Sequence, residues 1–156
     1  MNAVDALVRA GMRVGYRLLL VWWYVRRPSI QGAYVAVWHE GRVLVIRNSY
    51  RKRDSLPAGG LRRGETPLEA AVRELGEEVG IVATPGQLAY HGEILSESQY
   101  AKDHAHFYEL RCEAEPEVRI DRREVVWAGF LEPEEALARG VVQSVRVYLE
   151  AITNGR

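Results

Sequence analysis

Between Gly59 and Ile81 the chain reads GGLRRGETPLEAAVRELGEEVGI, and no other stretch limits the fold as much. It sets Glu65, Glu69, Glu74, Glu77 and Glu78 against three arginines, in a molecule whose 21 basic and 21 acidic residues cancel overall. The order of residues is that of a loop entering a helix. Gly59, Gly60 and Gly64 permit a tight loop. Thr66 can cap, Pro67 suits the first helical position, and Glu69 completes a capping box with Thr66. Gly80 supplies the stop. A helix is therefore expected at about Pro67–Val79. Leu68, Ala71, Val72, Leu75 and Val79 should face the core, with Arg73, Glu74, Glu77 and Glu78 off that side.

Glu74 and Glu78 stand one helical turn apart. Like charges there destabilise a helix by a few tenths of a kcal/mol, and Gly76 between them costs up to about 1 kcal/mol more. Arg73 relieves part of this by pairing with Glu77 four residues on. A solvated acidic face would account for three glutamates in isolation. With the glycine loop, Glu65 and Arg73 in register, a divalent cation between the carboxylates accounts for them better. Hard oxygen ligands, completed by water and substrate phosphates, suit magnesium or manganese.

The whole stretch resembles the Nudix box, G-x5-E-x7-R-E-U-x-E-E-x-G-U, where U is a bulky aliphatic residue. Gly59, Glu65, Arg73, Glu74, Leu75, Glu77, Glu78, Gly80 and Ile81 fill its fixed positions. The resemblance implies a metal-dependent pyrophosphohydrolase with Mg²⁺ or Mn²⁺ as cofactor. Its substrate would be a nucleoside diphosphate linked to another moiety, ADP-ribose-like or a nucleoside triphosphate. The alternative is a nucleotide-sensing domain without catalysis, but such domains commonly lose box glutamates and none is lost here. Carried over by position, Glu74 and Glu78 match the principal metal ligands, and Glu77 a more variable ligand or supporting acid that could also accept the proton. Arg73 matches the residue that orients the glutamates, Glu65 a supporting acid, and Gly59 and Gly80 the loop and stop glycines. Ala58 matches the position that gives a backbone carbonyl to the metal.

Members often add a glutamate near the final core strand, and Glu124 in DRREVVW is the candidate base or ligand. A charged residue opening a strand is the competing reading. The basic cluster Arg47, Arg51, Lys52 and Arg53 is placed to hold phosphate oxygens, against the plain alternative of a solvated loop. Positions that mark ADP-ribose and dinucleoside polyphosphate hydrolases fall at Ser96 and Ser98, with Tyr100 two residues late, so no subfamily is assigned.

The chain divides into an amino-terminal amphipathic helix, residues 1–28, and a domain of residues 29–156. In the domain, AYVAVWH and RVLVIRN read as strands joined by a hairpin at Glu40-Gly41. LAYHGEIL, HAHFYELRCE and EVVWAGFL read as further strands, and Pro133–Arg139 and Val142–Ile152 as two short helices. The expected fold is an α/β/α sandwich of the Nudix type, with a mixed sheet, the charged helix on one face and the carboxy-terminal helices on the other. His104 and His106 share a strand face without a third ligand at metal spacing. Trp38, Tyr90, Tyr100, Phe107 and Trp127 can stack on a base, although aromatics in strands more often fill cores.

Residues 1–27 carry Arg9, Arg13, Arg17, Arg26 and Arg27 against Asp5, a local charge of +4, which leaves −4 for the rest. Val4, Leu7, Val8, Gly11, Val14, Leu18, Val21, Trp22 and Val25 recur at three- and four-residue steps. This helix has three readings: packing on the domain, pairing with its copy in a homodimer, or lying on an anionic membrane through residues 3–27. The apolar run Leu18–Val25 is short of the roughly 20 residues that span a bilayer. The balanced charge gives no sign of a nucleic-acid partner. The single cysteine, Cys112, forms no internal disulfide and fits a reducing, cytoplasmic compartment.

Overall fold

The structure, a computed structural model, describes residues 3–26, 28–98 and 101–155, so Arg27 and Tyr100 lie outside the described residues. A long helix, α1 (Ala3–Arg26), precedes two β-branched strands, β1 (Ser29–His39) and β2 (Arg42–Asn48). Glu40 and Gly41 between them have φ of 49° and 78°. Two left-handed residues in succession match the twist of the flanking strands, so the expected hairpin forms. A short strand β3 (Ala58–Gly60) leads into α2 (Pro67–Val79). Then come β4 (Ala89–Ser98), β5 (Ala101–Arg111), β6 (Val125–Leu131), α3 (Pro133–Arg139) and α4 (Gln143–Asn154).

The sheet runs β4-β5-β1-β2-β6, with β3 also paired to β1. β1 is parallel to β5 and antiparallel to β2 and β3, which makes the sheet mixed. Alternation along β1 separates two cores. Ala33, Val35 and Val37, with Leu44 and Ile46 of β2, meet Ala71, Leu75 and Val79 of α2. Tyr34, Ala36 and Trp38, with Val43 and Val45, meet Ala136 of α3 and Val145, Tyr148 and Leu149 of α4. The sandwich is therefore the expected one, charged helix on one face and carboxy-terminal helices on the other.

Two readings gain a tertiary context that the sequence did not carry. The stripe read from α1 does not face the domain: Leu7, Val14, Leu18, Val21 and Val25 are 57–75% exposed. The helix packs through its opposite face instead. Asp5 pairs with Arg123 at 3.0 Å, Arg9 donates to the Arg122 carbonyl, and Tyr16 lies 5.1 Å from the Tyr50 ring. The periodicity found the more apolar face, whereas polar and aromatic contacts decide which face docks. Among the described residues no helix is long and apolar enough to cross a membrane. The second reading concerns Arg47. Its guanidinium grips buried Asp54 at 2.7 and 3.1 Å, and Arg139 of α3 adds a contact at 3.1 Å.

Asp54 is 1% exposed, and its carboxylate joins the loop after β2 to the end of α3. Removing one partner of a buried pair costs about 3–5 kcal/mol, less here because both arginines reach water. Asp54→Ala is expected to lower stability by about 2–3 kcal/mol in urea denaturation. A change below about 0.5 kcal/mol would contradict this structural role.

Candidate metal and phosphate site

The start and stop of α2 are built as the spacing requires. Thr66 accepts from the Glu69 amide at 3.3 Å, and the Glu69 carboxylate accepts from the Thr66 amide at 2.8 Å. Gly80 ends the helix at φ 69°, and a Cβ there would crowd Arg119 at 3.0 Å. Between these ends Arg73 is the organising cation. It binds Glu65 through Nε at 2.7 Å and Nη2 at 2.9 Å, and Nη2 also donates to the Gly60 carbonyl at 3.1 Å. Its Nη1 reaches Glu74 at 2.5 Å and Glu77 at 3.1 Å. Arg73 holds the Glu65 carboxyl down at about 2. One side chain thus fixes the glycine loop and the helix in a single frame.

Glu78 departs from the expected pattern. The helical wheel puts it off the apolar side, yet it is 4% exposed. Its Oε2 accepts from the Ala58 amide at 2.8 Å and its Oε1 from Asn48 Nδ2 at 3.2 Å. The contact at Ala58 is made by its N–H. Glu74 presses on the loop so closely that a Cβ at Gly59 would overlap its carboxylate. The negative charges of Glu74 and Glu124 both act on Glu78. Glu124 is held by the Tyr50 hydroxyl at 2.8 Å, and its carbonyl accepts from Ser49 at 2.7 Å. A register shift between β2 and β6 at Arg47/Asn48 sits beside it, the kind of irregularity that re-aims a side chain.

Glu74 and Glu78 therefore meet the Ala58–Gly59 backbone with the Glu124 charge acting on both, whereas Glu77 turns outward to Arg62 at 3.0 and 3.2 Å. Two carboxylates at a glycine loop, with a third charge acting on them, are oxygen donors of the kind a hard divalent ion takes. As they stand, Glu74 and Glu78 are satisfied by protein donors. Among the described residues no three His, Cys, Asp or Glu side chains already form a cage. Metal loading would exchange the Arg73 contact of Glu74 for the cation.

Of the basic cluster, Arg51 alone lines the cavities beside this loop. Lys52 and Arg53 are exposed, and Arg47 belongs to Asp54. His104 bonds Glu93 at 2.6 Å, His106 lies 3.4 Å from the Tyr90 hydroxyl, and Trp38 donates to Tyr148 inside the core. Phe107 stacks between Tyr34 and Tyr148. Asn48 and Tyr50, which hold Glu78 and Glu124, were not singled out from the sequence. Counting by twos from Leu44 and Ile46 places Asn48 on the α2 face, a signal that was there to be read. Nothing local marks Tyr50.

Residues 28–151 match the family model of the NUDIX domain. An RNA pyrophosphohydrolase of Xylella fastidiosa (strain M12) is 38% identical over 72 residues, which cover 41% of this chain and 37% of that protein. The chain thus matches little more than a third of this relative's length. A MutT protein from Methanosarcina mazei Go1 superposes with a TM-score of 0.71 at 21% identity, over 83% of this chain and 96% of that one. A bifunctional NMN adenylyltransferase/ADP ribose pyrophosphatase from Francisella tularensis, complexed with AMP and a Mn ion, gives 0.71 at 17% identity. That match covers 92% of this chain and 47% of the other.

Burial, reinforced by the Glu74 and Glu124 charges, pushes the Glu78 carboxyl from 4.5 up to about 8. A folded value above the unfolded one means that Glu78 favours folding fully below pH 4.5. That contribution is lost as pH rises through 8. In chelator, the melting temperature is expected to fall from about pH 5 to about pH 8. Excess Mg²⁺ or Mn²⁺ should restore more of it at pH 8 than at pH 6, because a cation binds the ionised carboxylate. Thermal melts at each pH check this; a metal effect independent of pH would contradict it.

Proposed function

The chain belongs to the NUDIX domain family, and on that premise we propose that it is a divalent-metal-dependent pyrophosphohydrolase. The observation that carries the proposal is the buried Glu78, held against the Ala58 amide with Glu74 and Glu124 acting on it. Burying an acid among acids is unfavourable for folding alone. It is understandable where a cation and a phosphate chain complete the charge balance.

Bound there, Mg²⁺ or Mn²⁺ would neutralise diphosphate oxygens and ease deprotonation of the attacking water. Glu74 and Glu78 supply the anionic oxygens, and Arg73 keeps Glu74 and the Gly60 loop in register. Of the two candidate bases, Glu124 is favoured. Its Oε1 takes the Tyr50 hydroxyl, which leaves Oε2 to receive a proton, whereas Glu77 is tied to Arg62 and Arg73. Arg51 is the residue of the basic cluster that supports the phosphate chain. Its Nε is buried and has no hydrogen-bond partner, which suits an anionic acceptor.

The substrate proposed is a nucleoside diphosphate linked to another moiety, ADP-ribose-like or a nucleoside triphosphate. The name of the Xylella relative adds a 5′-triphosphorylated oligoribonucleotide to the compounds to be assayed. Steady-state assays of ADP-ribose, nucleoside triphosphates, a dinucleoside polyphosphate and that oligonucleotide, with Mg²⁺ or Mn²⁺, are expected to show turnover of at least one. Glu78→Gln should lower that turnover on the order of 10²-fold or more. Binding without turnover across the series would favour a sensing domain, and an unaffected Glu78→Gln would remove Glu78 from the mechanism.

A further inference from the structure

Beyond the diphosphate site, α1 closes a space that the box residues leave open. Leu19 and Trp23 reach over a cavity of about 480 Å³ whose floor is the Ala58–Gly60 backbone. A smaller cavity of about 290 Å³ adjoins it, shares Leu19, Trp23 and Arg51, and extends to Glu124. The space therefore runs from the proposed catalytic carboxylate to the far wall formed by Tyr34 and Asp103. Asp103 is 5% exposed and takes hydrogen bonds from Tyr34 and Ser144. Arg51 lies between the two ends. Its guanidinium sits 5.9 Å from the Tyr16 ring and 5.6 Å from the Tyr50 ring, and it enters no ion pair among the described residues.

Mostly apolar walls with a few convergent polar groups, in a volume of this size, describe a small-molecule site. The polar groups have a direction. A half-buried guanidinium with a buried Nε, next to the box loop, takes phosphate, and a carboxylate acceptor further out takes N–H donors. A half-buried indole, that of Trp23, lines the same space and offers a flat apolar face. Adjacent tryptophans on the helix are not equivalent: Trp22 is 52% exposed on the outward side, and Trp23 faces the cavity.

We propose that α1 forms part of the substrate site and that Trp23 stacks on the nucleobase of the substrate, with Asp103 as an acceptor at the base edge. This rests on the hydrolase reading for the identity of the substrate, but binding can be measured without turnover. The amino-terminal helix is thereby a specificity element of the site.

The test uses the full chain in chelator, with tryptophan fluorescence and calorimetry reading the binding of AMP, GMP and base-free ribose 5-phosphate. The wild type is expected to bind at least one of the nucleotides. Trp23→Ala should weaken that binding by about tenfold or more, the scale of base–aromatic stacking. Trp23→Phe, which keeps a ring, should recover most of it. Trp22→Ala and the ribose 5-phosphate affinities should stay within about twofold. No nucleotide binding by the wild type, equal nucleotide affinity in Trp23→Ala, or parallel loss of ribose 5-phosphate binding would each overturn the proposal. Trp23-dependent binding without any turnover would leave this site standing and remove the hydrolase reading. Turnover abolished by Glu78→Gln but indifferent to Trp23→Ala, in both KM and nucleotide affinity, would do the reverse.

Discussion

The interaction on which this architecture turns is the hydrogen bond from the Ala58 amide to the Glu78 carboxylate, 2.8 Å long and almost shut off from water. It joins the middle of the sheet to the last turn of α2, and through Asn48 it reaches the end of β2 as well. A leucine at position 78 would pack that corner with less electrostatic cost. The carboxylate instead raises the local charge density, and its own proton affinity rises in response. The strain is local, and the rest of the fold holds it in place: β3 by pairing with β1, α2 by its capped start and its glycine stop.

Arg73 supplies the counterweight. A guanidinium can bridge several acceptors in one plane, and here it meets two carboxylates firmly, a third more weakly, and a loop carbonyl. Lysine has no comparable fork, so it would hold the loop or the helix but not both. Gly59 belongs to the same frame, since the Glu74 carboxylate occupies the space a side chain would need. The glycine, the arginine and the glutamates thus form one steric and electrostatic unit, which accounts for their fixed spacing along the chain.

Much of this was legible in the sequence because it is written locally. The capping box Thr66–Glu69, the stop at Gly80 and the Glu40-Gly41 turn depend on residues a few positions apart, and each forms as read. The two-faced core followed from strand alternation in β1 and β2. What was hidden depends on distant segments meeting. Glu78 was placed off the apolar side, because a helical wheel knows nothing of the β3 backbone that covers it. Arg47 looked like a phosphate ligand because its sequence neighbours are basic, while its partner Asp54 becomes buried only when α3 closes over it. The face by which α1 docks was not given by its apolar stripe, because that stripe is the one turned outward. Leu19 and Trp23 acquire a meaning only from the cavity beneath them.

The central claim is that Glu74 and Glu78, with the Ala58–Gly59 backbone, receive a divalent cation. Crystals soaked in Mn²⁺ and measured at the manganese absorption edge test it most directly. An anomalous peak in contact with carboxylate oxygens of both glutamates is expected, with Glu74 released from Arg73. A peak elsewhere, or no peak while Glu78 keeps its bonds to Ala58 and Asn48, would contradict it.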